Sequence, residues 1–264
     1  MSNLKFSFNS IPFQAVTITN SGDELEDHPL INTFDSKRHC WFRADTAGTS
    51  ITFTYDLGSA TTLTADHFIM ARADRFQDDS GSQVRLRHSP DNAVWTTVFD
   101  NTTFASETLT GPNSQDYVNT FTETVSRRYW EVRLTASSSS KFTVSKIVFG
   151  KWFTFDFDLD SYTSEFLPAT EPFISADGSV YYGKSYDDVR RYTLTWKGVT
   201  DTQVKEINEQ LLGPERLGGF IYADAETNVL DEHDLIHYEV EDYQVVKTWN
   251  NWNDLTLILR EAVG

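Results

Sequence analysis

Apolar and polar residues alternate with a period of two along several stretches of the chain. Successive side chains of a β-strand point to opposite faces, so this period predicts strands with one buried and one solvated face. Clusters of Asp, Gly, Ser, Asn and Pro between the stretches are typical of short turns. The alternation is clearest over residues 51–57, 84–88, 130–134 and 191–197. We therefore predict a mainly β protein whose first half is two packed sheets.

One segment departs from this period. Apolar residues recur at helical spacing through 204–211, with charged residues on the other face. Thr200 precedes Gln203 by three residues, which is the pattern of a capping box, and Gly213-Pro214 is a stop signal. These features predict a short amphipathic helix near 201–212 that covers a sheet.

Five short motifs follow one another in the first half of the chain. They are Trp41, Asp56-Leu57-Gly58-Ser59, His88-Ser89-Pro90-Asp91-Asn92 with Trp95, Arg128-Tyr129-Trp130, and Ile147-Val148-Phe149-Gly150. This order resembles the discoidin domain, also called the factor 5/8 type C or galactose-binding-like domain. The resemblance implies a jelly-roll β-sandwich over 1–150. It also implies binding to surfaces or sugars in place of catalysis.

Sugar sites in this fold class use loops at one end of the sandwich, where an aromatic ring stacks on the sugar and polar side chains fix its hydroxyls. Plain alternatives remain, because Phe76 can anchor a loop on the core and Arg72 with Asp74 can form a surface ion pair worth less than ~1 kcal/mol. The candidate ligand residues are Arg72, Asp74, Arg75 and Phe76 on one loop, and Asn113 and Tyr117 on another.

The same resemblance bears on calcium binding. Discoidin-like domains commonly hold a structural calcium with carbonyl oxygens, an aspartate before the tryptophan and a glutamate near the final strand. Asp35 stands at the first position, but Ser145 stands at the second and removes a bidentate ligand that a hard cation needs. We expect no calcium of this type and no other metal. An oxygen-rich loop of Asp78, Asp79 and Ser82 remains an alternative to a plain turn.

A second unit is predicted from Gly150-Lys151 onward, since a new strand begins there without a flexible linker. Such a junction predicts two domains in a fixed relation. Residues 151–264 are predicted to form a β-barrel or sandwich with one short helix. Asp177-Gly178, the strand Arg191–Trp196, the helix and the strand Gly219–Tyr222 follow in an order that resembles minor tail and distal tail proteins of long-tailed bacteriophages.

That second resemblance implies a structural part of a phage tail tip or baseplate, a ring or adaptor around the tail tube. The family's usual Gly-Asp-Gly-Tyr segment is replaced here by Ser175–Ser179. The expected partners are tail tube, hub, tip or fibre proteins, further copies of the chain, and a host-surface carbohydrate. The expected location is the virion tail after synthesis in the host cytoplasm. The alternative is a stand-alone, lectin-like carbohydrate-binding protein.

Trp249 and Trp252 lie in a polar, asparagine-rich segment before the last predicted strand. An aromatic pair in such a loop is a candidate subunit contact. The alternative is a hairpin in which one tryptophan folds into the core.

Charge narrows the classes of partner. The net charge is −17, with 39 acidic against 22 basic residues, whereas affinity for nucleic acid comes largely from Lys and Arg. We expect no specific nucleic-acid binding, although DNA can pass through an acidic ring. Apolar runs fall short of the ~20 residues of a membrane span, and the polar start lacks the features of a secretory signal. Cys40 is the single cysteine, so we predict no internal disulfide.

Catalytic signatures are missing from the sequence. It contains no Gly-x-Ser-x-Gly elbow, P-loop or Gly-x-Gly-x-x-Gly motif. Of the six histidines only His233 and His237 have a spacing suited to two metal ligands, and a solvated acidic turn is the simpler interpretation of their segment. We therefore predict a protein that is not an enzyme and holds no cofactor.

Overall fold

The computed structural model describes most of the chain and consists mainly of β-strands. The described residues are 4–7, 11–27, 29–33, 42–45, 47–73, 83–101, 117–122, 124–156, 158–167, 172–174, 180–182, 189–210, 219–222 and 235–261. Among these described residues, three helical segments interrupt the strands: α1 (Ile11–Gln14), a 3-10 helix (Leu30–Thr33) and α2 (Asp201–Gln210).

Two antiparallel sheets form a β-sandwich in the first half of the chain, as the sequence predicts. The five-stranded sheet has the order β2 (Thr17–Asn20), β4 (Gly48–Asp56), β9 (Tyr129–Ser140), β6 (Gln83–Ser89), β7 (Thr96–Asn101). The four-stranded sheet has the order β3 (Phe42–Arg43), β10 (Thr143–Gly150), β5 (His67–Ala73), β8 (Tyr117–Thr120).

The inner faces of the two sheets share one core. The predicted alternation is confirmed, since the apolar positions of β4, β6 and β9 are buried. Aromatic rings join the sheets: Tyr55 of β4 contacts Phe149 of β10 with ring centroids 5.2 Å apart, and Trp130 of β9 lies 5.8 Å from the same ring. Offset and edge contacts of this kind add to the stabilisation that burial provides.

One ion pair lies on the outer face of the five-stranded sheet. Arg87 and Glu131 are direct cross-strand neighbours, and Arg87 Nη2 donates to Glu131 Oε2 at 2.7 Å while its Nε donates to Oε1. The guanidinium also lies 5.1 Å from the ring of Trp95. The two charges are therefore held in a bidentate pair, which is stronger than a single contact.

A second sheet of seven strands occupies the rest of the described chain. Its order is β11 (Phe153–Thr154), β1 (Lys5–Ser7), β16 (Gly219–Tyr222), β17 (Leu235–Trp249), β18 (Trp252–Glu261), β15 (Val189–Thr200), β12 (Ser161–Leu167). A separate hairpin pairs β13 (Pro172–Ile174) with β14 (Val180–Tyr182).

Strand β1 lies in this second sheet, whereas the predicted domain 1–150 placed it in the first unit. Lys5 pairs with Thr154 on one side and with Tyr222 on the other. Leu4 and Phe6 are buried in the second core. The physical reason is that β1 lies between the two-residue strand β11 and β16 and pairs with both. Its apolar side chains are buried in the core of this sheet.

Helix α2 confirms the predicted helix over 201–210. Gln203 N donates to Thr200 Oγ1 at 3.2 Å, and Thr200 N donates to Gln203 Oε1 at 3.5 Å, which is the reciprocal pattern of a capping box. Ile207 is buried against the second core, as its spacing predicts. Residues 211 and 212 lie outside the described part of the chain.

Across the described residues, no helix combines the length and apolar character needed to cross a lipid bilayer.

Candidate functional site

The two ends of the sandwich differ in what surrounds them. At one end β5 finishes at Ala73, which pairs with Val144 near the start of β10. At the other end Gly150 pairs with His67, and the chain passes directly into the second sheet. We call the first the distal end and the second the junction end.

The predicted ligand loops both attach to the distal end. Met70 pairs with Tyr117, so β5 runs toward this end and β8 begins there. Val84 pairs with Asn101, which places the start of β6 and the end of β7 at the same end. The strand ends that flank the segments 74–82 and 102–116 therefore lie at this end. Asp74, Arg75, Phe76 and Asn113 themselves, and the side chain of Arg72, lie outside the described residues.

Tyr117 is a correction to the predicted ligand set. Its side chain is 3% exposed, and its ring lies 6.1 Å from that of Phe68 within the sandwich core. Residues 117–119 of β8 are all buried, so the tyrosine at the start of this strand faces the core and not the solvent. Its ring is therefore unavailable for stacking on a sugar.

The predicted aromatic pair lies at the tip of a hairpin. Trp249 pairs with Trp252 across a turn in which Asn250 has a φ of 45°. Trp249 is 74% exposed and Trp252 is 41% exposed, so neither ring is folded into the core. Trp252 alternates with buried Asn253 and therefore points away from the core face of the sheet. A role in assembly stays a prediction.

The region compared above with a calcium site contains a buried lysine. Lys146 on β10 is 1% exposed, and its Nζ donates to the carbonyl oxygen of Asn32, the third residue of the 3-10 helix, at 2.7 Å. A buried ammonium repels a divalent cation strongly in a medium of low dielectric. The residues present therefore do not fit a calcium ion bound to this carbonyl.

Other candidate ligands for a metal lie outside the described residues. They are Asp35, Asp78, Asp79, Ser82 and His233, together with the thiol of Cys40, while only the backbone of His237 is described. Within the described part of the chain, no three His, Cys, Asp or Glu side chains group together to hold a metal ion.

A buried network joins the two units at the junction end. Ser7 Oγ lies 2.6 Å from His67 Nε2, and His67 Nδ1 lies 3.2 Å from Asp66 Oδ1. Trp152 N donates to the same carboxylate oxygen at 2.8 Å, and its ring stacks on His67 at 3.8 Å. With the carboxylate accepting from Nδ1–H, Nε2 accepts the Ser7 hydroxyl proton. Strand β1 is thus connected to the sandwich by hydrogen bonds.

This Ser7–His67–Asp66 order matches that of a hydrolase triad, but its surroundings do not. Ser7 is 2% exposed and His67 is fully buried, so no substrate atom can approach the hydroxyl. Burial lowers the pKa of His67, which outweighs the opposite effect of Asp66, and the charge of Lys5 also lowers it. A neutral, enclosed imidazole makes this network a structural clamp.

A cleft of about 560 Å³ lies beside this clamp, between the sandwich and α2. Its lining is mostly polar, with hydroxyl, carboxamide, carboxylate and ammonium groups. Loops of the sandwich, α2 and the chain after Gly150 each contribute lining residues, and we call these parts the sandwich wall, the helical wall and the floor. The lining residues are Ile11, Thr62, Leu63, Thr64, Ser126, Lys151, Trp152, Phe153, Thr154, Asp156, Gln203 and Glu206.

Solved structures similar to this chain include carbohydrate-binding modules. A chitosan-binding module of a chitosanase/glucanase from Paenibacillus sp. IK-5 has 16% identity and a TM-score of 0.42, over 54% of this chain and 99% of the module. Module CBM32-1 of a family 31 glycoside hydrolase from Clostridium perfringens has 11% identity and a TM-score of 0.39, over 52% and 96%. A pectin-binding module has 15% identity and a TM-score of 0.38, over 52% and 91%.

No protein-family model and no curated protein matches the chain. The similarity covers about half of this chain, and at these identities and TM-scores it carries no conclusion about a ligand. These structures offer no support for the resemblance of residues 151–264 to phage tail proteins, which stays a prediction.

Sequence reasoning missed the junction. Ser7 and His67 are 60 residues apart, so no local spacing announces their hydrogen bond. The adjacent pair Asp66-His67 and the tryptophan two residues after Gly150 are the only local signals, and neither is specific. The burial of Lys146 was missed as well. Lysine is rarely buried, and the position of Lys146 in the alternation of its strand is one that predicts a solvated side chain.

Proposed function

We propose that this protein binds carbohydrate without acting on it, through the loops at the distal end of the sandwich. The observation that supports the proposal is the register of β5, β6, β7 and β8, which places the strand ends flanking the segments 74–82 and 102–116 at one end of the sandwich. Binding residues are often placed on loops that such a scaffold positions.

The chemistry of these segments suits a sugar. Phe76 supplies an aromatic face for the apolar side of a pyranose ring, and Arg72, Asp74, Arg75 and Asn113 supply donors and acceptors for its hydroxyls. The correction of Tyr117 leaves Phe76 as the one aromatic of the predicted set that can stack. The proposal therefore depends most strongly on Phe76.

A glycan array followed by calorimetry on the strongest glycan tests this function. Phe76→Ala is expected to weaken binding about tenfold or more, because stacking contributes on the order of 1 kcal/mol and its loss also exposes the sugar to water. Trp249→Ala, which also removes an exposed aromatic ring but far along the chain in the hairpin tip, serves as the matched control. Equal affinity of the Phe76→Ala and parent proteins would contradict the proposal.

A second candidate function is that of a structural phage tail component, in which the chain forms a ring or adaptor. The observation that favours it is the exposed pair Trp249 and Trp252 at the tip of β17 and β18, since aromatic side chains are enriched at protein interfaces. In this proposal the tip contacts a further copy of the chain or a tube, hub, tip or fibre protein in the virion.

Light scattering over a range of protein concentrations, with and without calcium, tests the second candidate. A ring-sized or concentration-dependent oligomer that Trp252→Ala weakens is the expected result. Gln244→Ala, a change at an exposed position of β17 away from the tip, is the control. An oligomer of unchanged size in Trp252→Ala would remove this tip from the interface.

A further inference from the structure

We propose that the cleft at the junction end is a second binding site, and that it takes a small neutral polyhydroxylated ligand of about one or two sugar rings. It is separate from the distal loops and does not depend on them. Its volume of about 560 Å³ falls within the usual range of ligand sites, about 300–1,000 Å³, and such sites occur preferentially between domains.

The sandwich wall of the cleft is fixed in advance. Leu63 and Arg127 exchange backbone hydrogen bonds of 3.1 and 3.0 Å, which tie the loop after β4 to the loop before β9. Thr64 Oγ1 lies 2.9 Å from Ser126 Oγ, so two hydroxyls of the wall are already oriented. A wall held in this way loses little conformational entropy when a ligand binds.

The helical wall is fixed as well. Gln203 and Glu206 are three residues apart and therefore share one face of α2. The capping contact engages Gln203 Oε1, which leaves the amide nitrogen as the donor group of that side chain. Asn253 Nδ2 donates to Asp201 Oδ1 at 2.7 Å and ties the start of α2 to β18.

The floor connects the cleft to the buried clamp. Trp152 N is held by the Asp66 carboxylate and its ring by the His67 imidazole, so the position of this residue is set from both sides. The floor thus has a defined shape that depends on both the sandwich and β1. A ligand seated here contacts both units at once.

The lining selects the class of ligand. Asp156 and Glu206 place two carboxylates on the cleft against the single ammonium of Lys151, which disfavours an anion. Thr62, Thr64, Thr154 and Ser126 offer hydroxyls that both donate and accept, which is the pairing that sugar hydroxyls need. Leu63 and Trp152 add limited apolar surface for the C–H face of a ring.

The test uses the full chain and a fixed set of probes: glucose, galactose, mannose, N-acetylglucosamine, cellobiose and lactose, with galacturonate as the anionic counterpart of galactose. Saturation-transfer NMR at millimolar concentrations finds binders, and calorimetry then measures their affinity. At least one neutral sugar is expected to bind. Glu206→Gln combined with Thr62→Val is expected to weaken it about tenfold or more, since the first change replaces a charged acceptor by a weaker neutral one and the second removes a hydroxyl.

Matched controls lie next to both positions. Glu209→Gln removes a carboxylate one turn along the same helix, and Thr61→Val removes the adjacent hydroxyl, and neither residue lines the cleft. Both are expected to leave the affinity unchanged. Galacturonate is expected to bind about tenfold or more weakly than galactose, and Glu206→Gln is expected to reduce that difference.

Two results would overturn the cleft proposal. One is the absence of binding by every neutral probe. The other is binding that the Glu206→Gln, Thr62→Val protein retains and Phe76→Ala loses, which would assign the sugar to the distal loops. The converse pattern, loss in the cleft variant with Phe76→Ala unchanged, would support the cleft and contradict the proposed function at the distal end.

Discussion

The sandwich and the seven-stranded sheet bury their apolar faces in different ways. In the sandwich two inner faces cover each other, and every strand of that core comes from one continuous part of the chain, residues 17–150. The second sheet instead curves so that its own strands share one core, since Phe6 of β1 lies 5.9 Å from Trp196 of β15, four positions away in the strand order. Helix α2 adds Ile207 to this core, while most of β17 after Tyr238 is exposed.

The two cores therefore depend on different parts of the chain. The sandwich is complete without the first strand, whereas the second core contains Leu4 and Phe6 from the beginning of the chain. Changes in β1 should therefore affect the second unit, although β1 precedes the sandwich in sequence. Four changes, ordered by the size of the expected effect, test this comparison.

Phe6→Ala is expected to have the largest effect. The Phe6 ring is buried with centroids 5.8 Å from Phe155, 5.9 Å from Trp196 and 6.2 Å from Tyr238, so its truncation should lower the free energy of unfolding of the second unit by about 3–5 kcal/mol. Hydrogen exchange should show lost protection in β15, β17 and β18, with β4 and β9 unaffected.

Phe53→Ala is the matched control for Phe6→Ala, because Phe53 is equally buried in the sandwich core. It should reverse the pattern, with lost protection in β4 and β9. Equal loss of protection in both sheets after either change would mean that the two cores unfold as one unit, and the comparison would be wrong.

Glu131→Gln is expected to cause the next largest loss of stability. Arg87 loses its charged partner on a face where the carboxylate is 7% exposed and the guanidinium 28%, so we expect a loss of about 2 kcal/mol, less than for a fully buried pair. Urea unfolding of the sandwich measures it. Asp100→Asn, which breaks the more exposed contact of Arg85 with Asp100 at 3.8 Å, should change stability by less than about 0.5 kcal/mol.

Acidification tests the clamp between the two units. The pKa of His67 is lowered by burial, so below an unfolded value of about 6.5 the unfolded chain binds a proton that the folded chain does not. Stability should therefore fall as pH decreases from about 6.5 toward the folded pKa, by at most about 1.4 kcal/mol per pH unit for this one group. Denaturant unfolding at several pH values measures the slope.

His67→Gln is expected to reduce that slope while lowering stability at neutral pH. The lowered pKa values of Asp56 and Asp91 act at more acidic pH, below about 3.8, so measurements above pH 5 keep them separate. An unchanged slope in His67→Gln would mean that other groups cause the pH dependence.

Thr200→Ala is expected to have the smallest effect. It removes the hydroxyl that accepts from Gln203 N, a cap worth about 1 kcal/mol, from a helix that covers only the second core. Thermal unfolding should show a modest loss of stability in the second unit alone. Thr202→Ala, an exposed position within the same helix, should leave stability nearly unchanged, and an equal loss there would argue against the cap.

The parts of the fold that could be predicted are those encoded by neighbouring residues. Alternation over 51–57, 84–88, 130–134 and 191–197 reflects which face of each strand is buried, and the Thr200–Gln203 capping box is a contact of three residues' span. The strand ends that flank the predicted site segments lie at one end of the sandwich because of the strand register, which is a long-range property.

The parts that could not be predicted depend on residues far apart in sequence. Strand β1 is too short to carry a periodic signal, and its place in the second sheet depends on β11 and β16. The burial of Tyr117 depends on Phe68 of the neighbouring strand. The junction cleft requires loops, floor and helix from three regions of the chain, none of which has a motif of its own.

The position of β1 also has a consequence for biosynthesis. A ribosome releases this strand before the sandwich, yet its partner β11 follows the whole sandwich and its other partner β16 comes later still. During translation the sandwich can close while β1 waits with Leu4 and Phe6 exposed, and unpaired apolar strands of this kind promote aggregation. A fragment that ends at Gly150 would keep Leu4 and Phe6 exposed permanently. A fragment with the same end that starts after Ser7 would lack these two residues and so avoid the exposure.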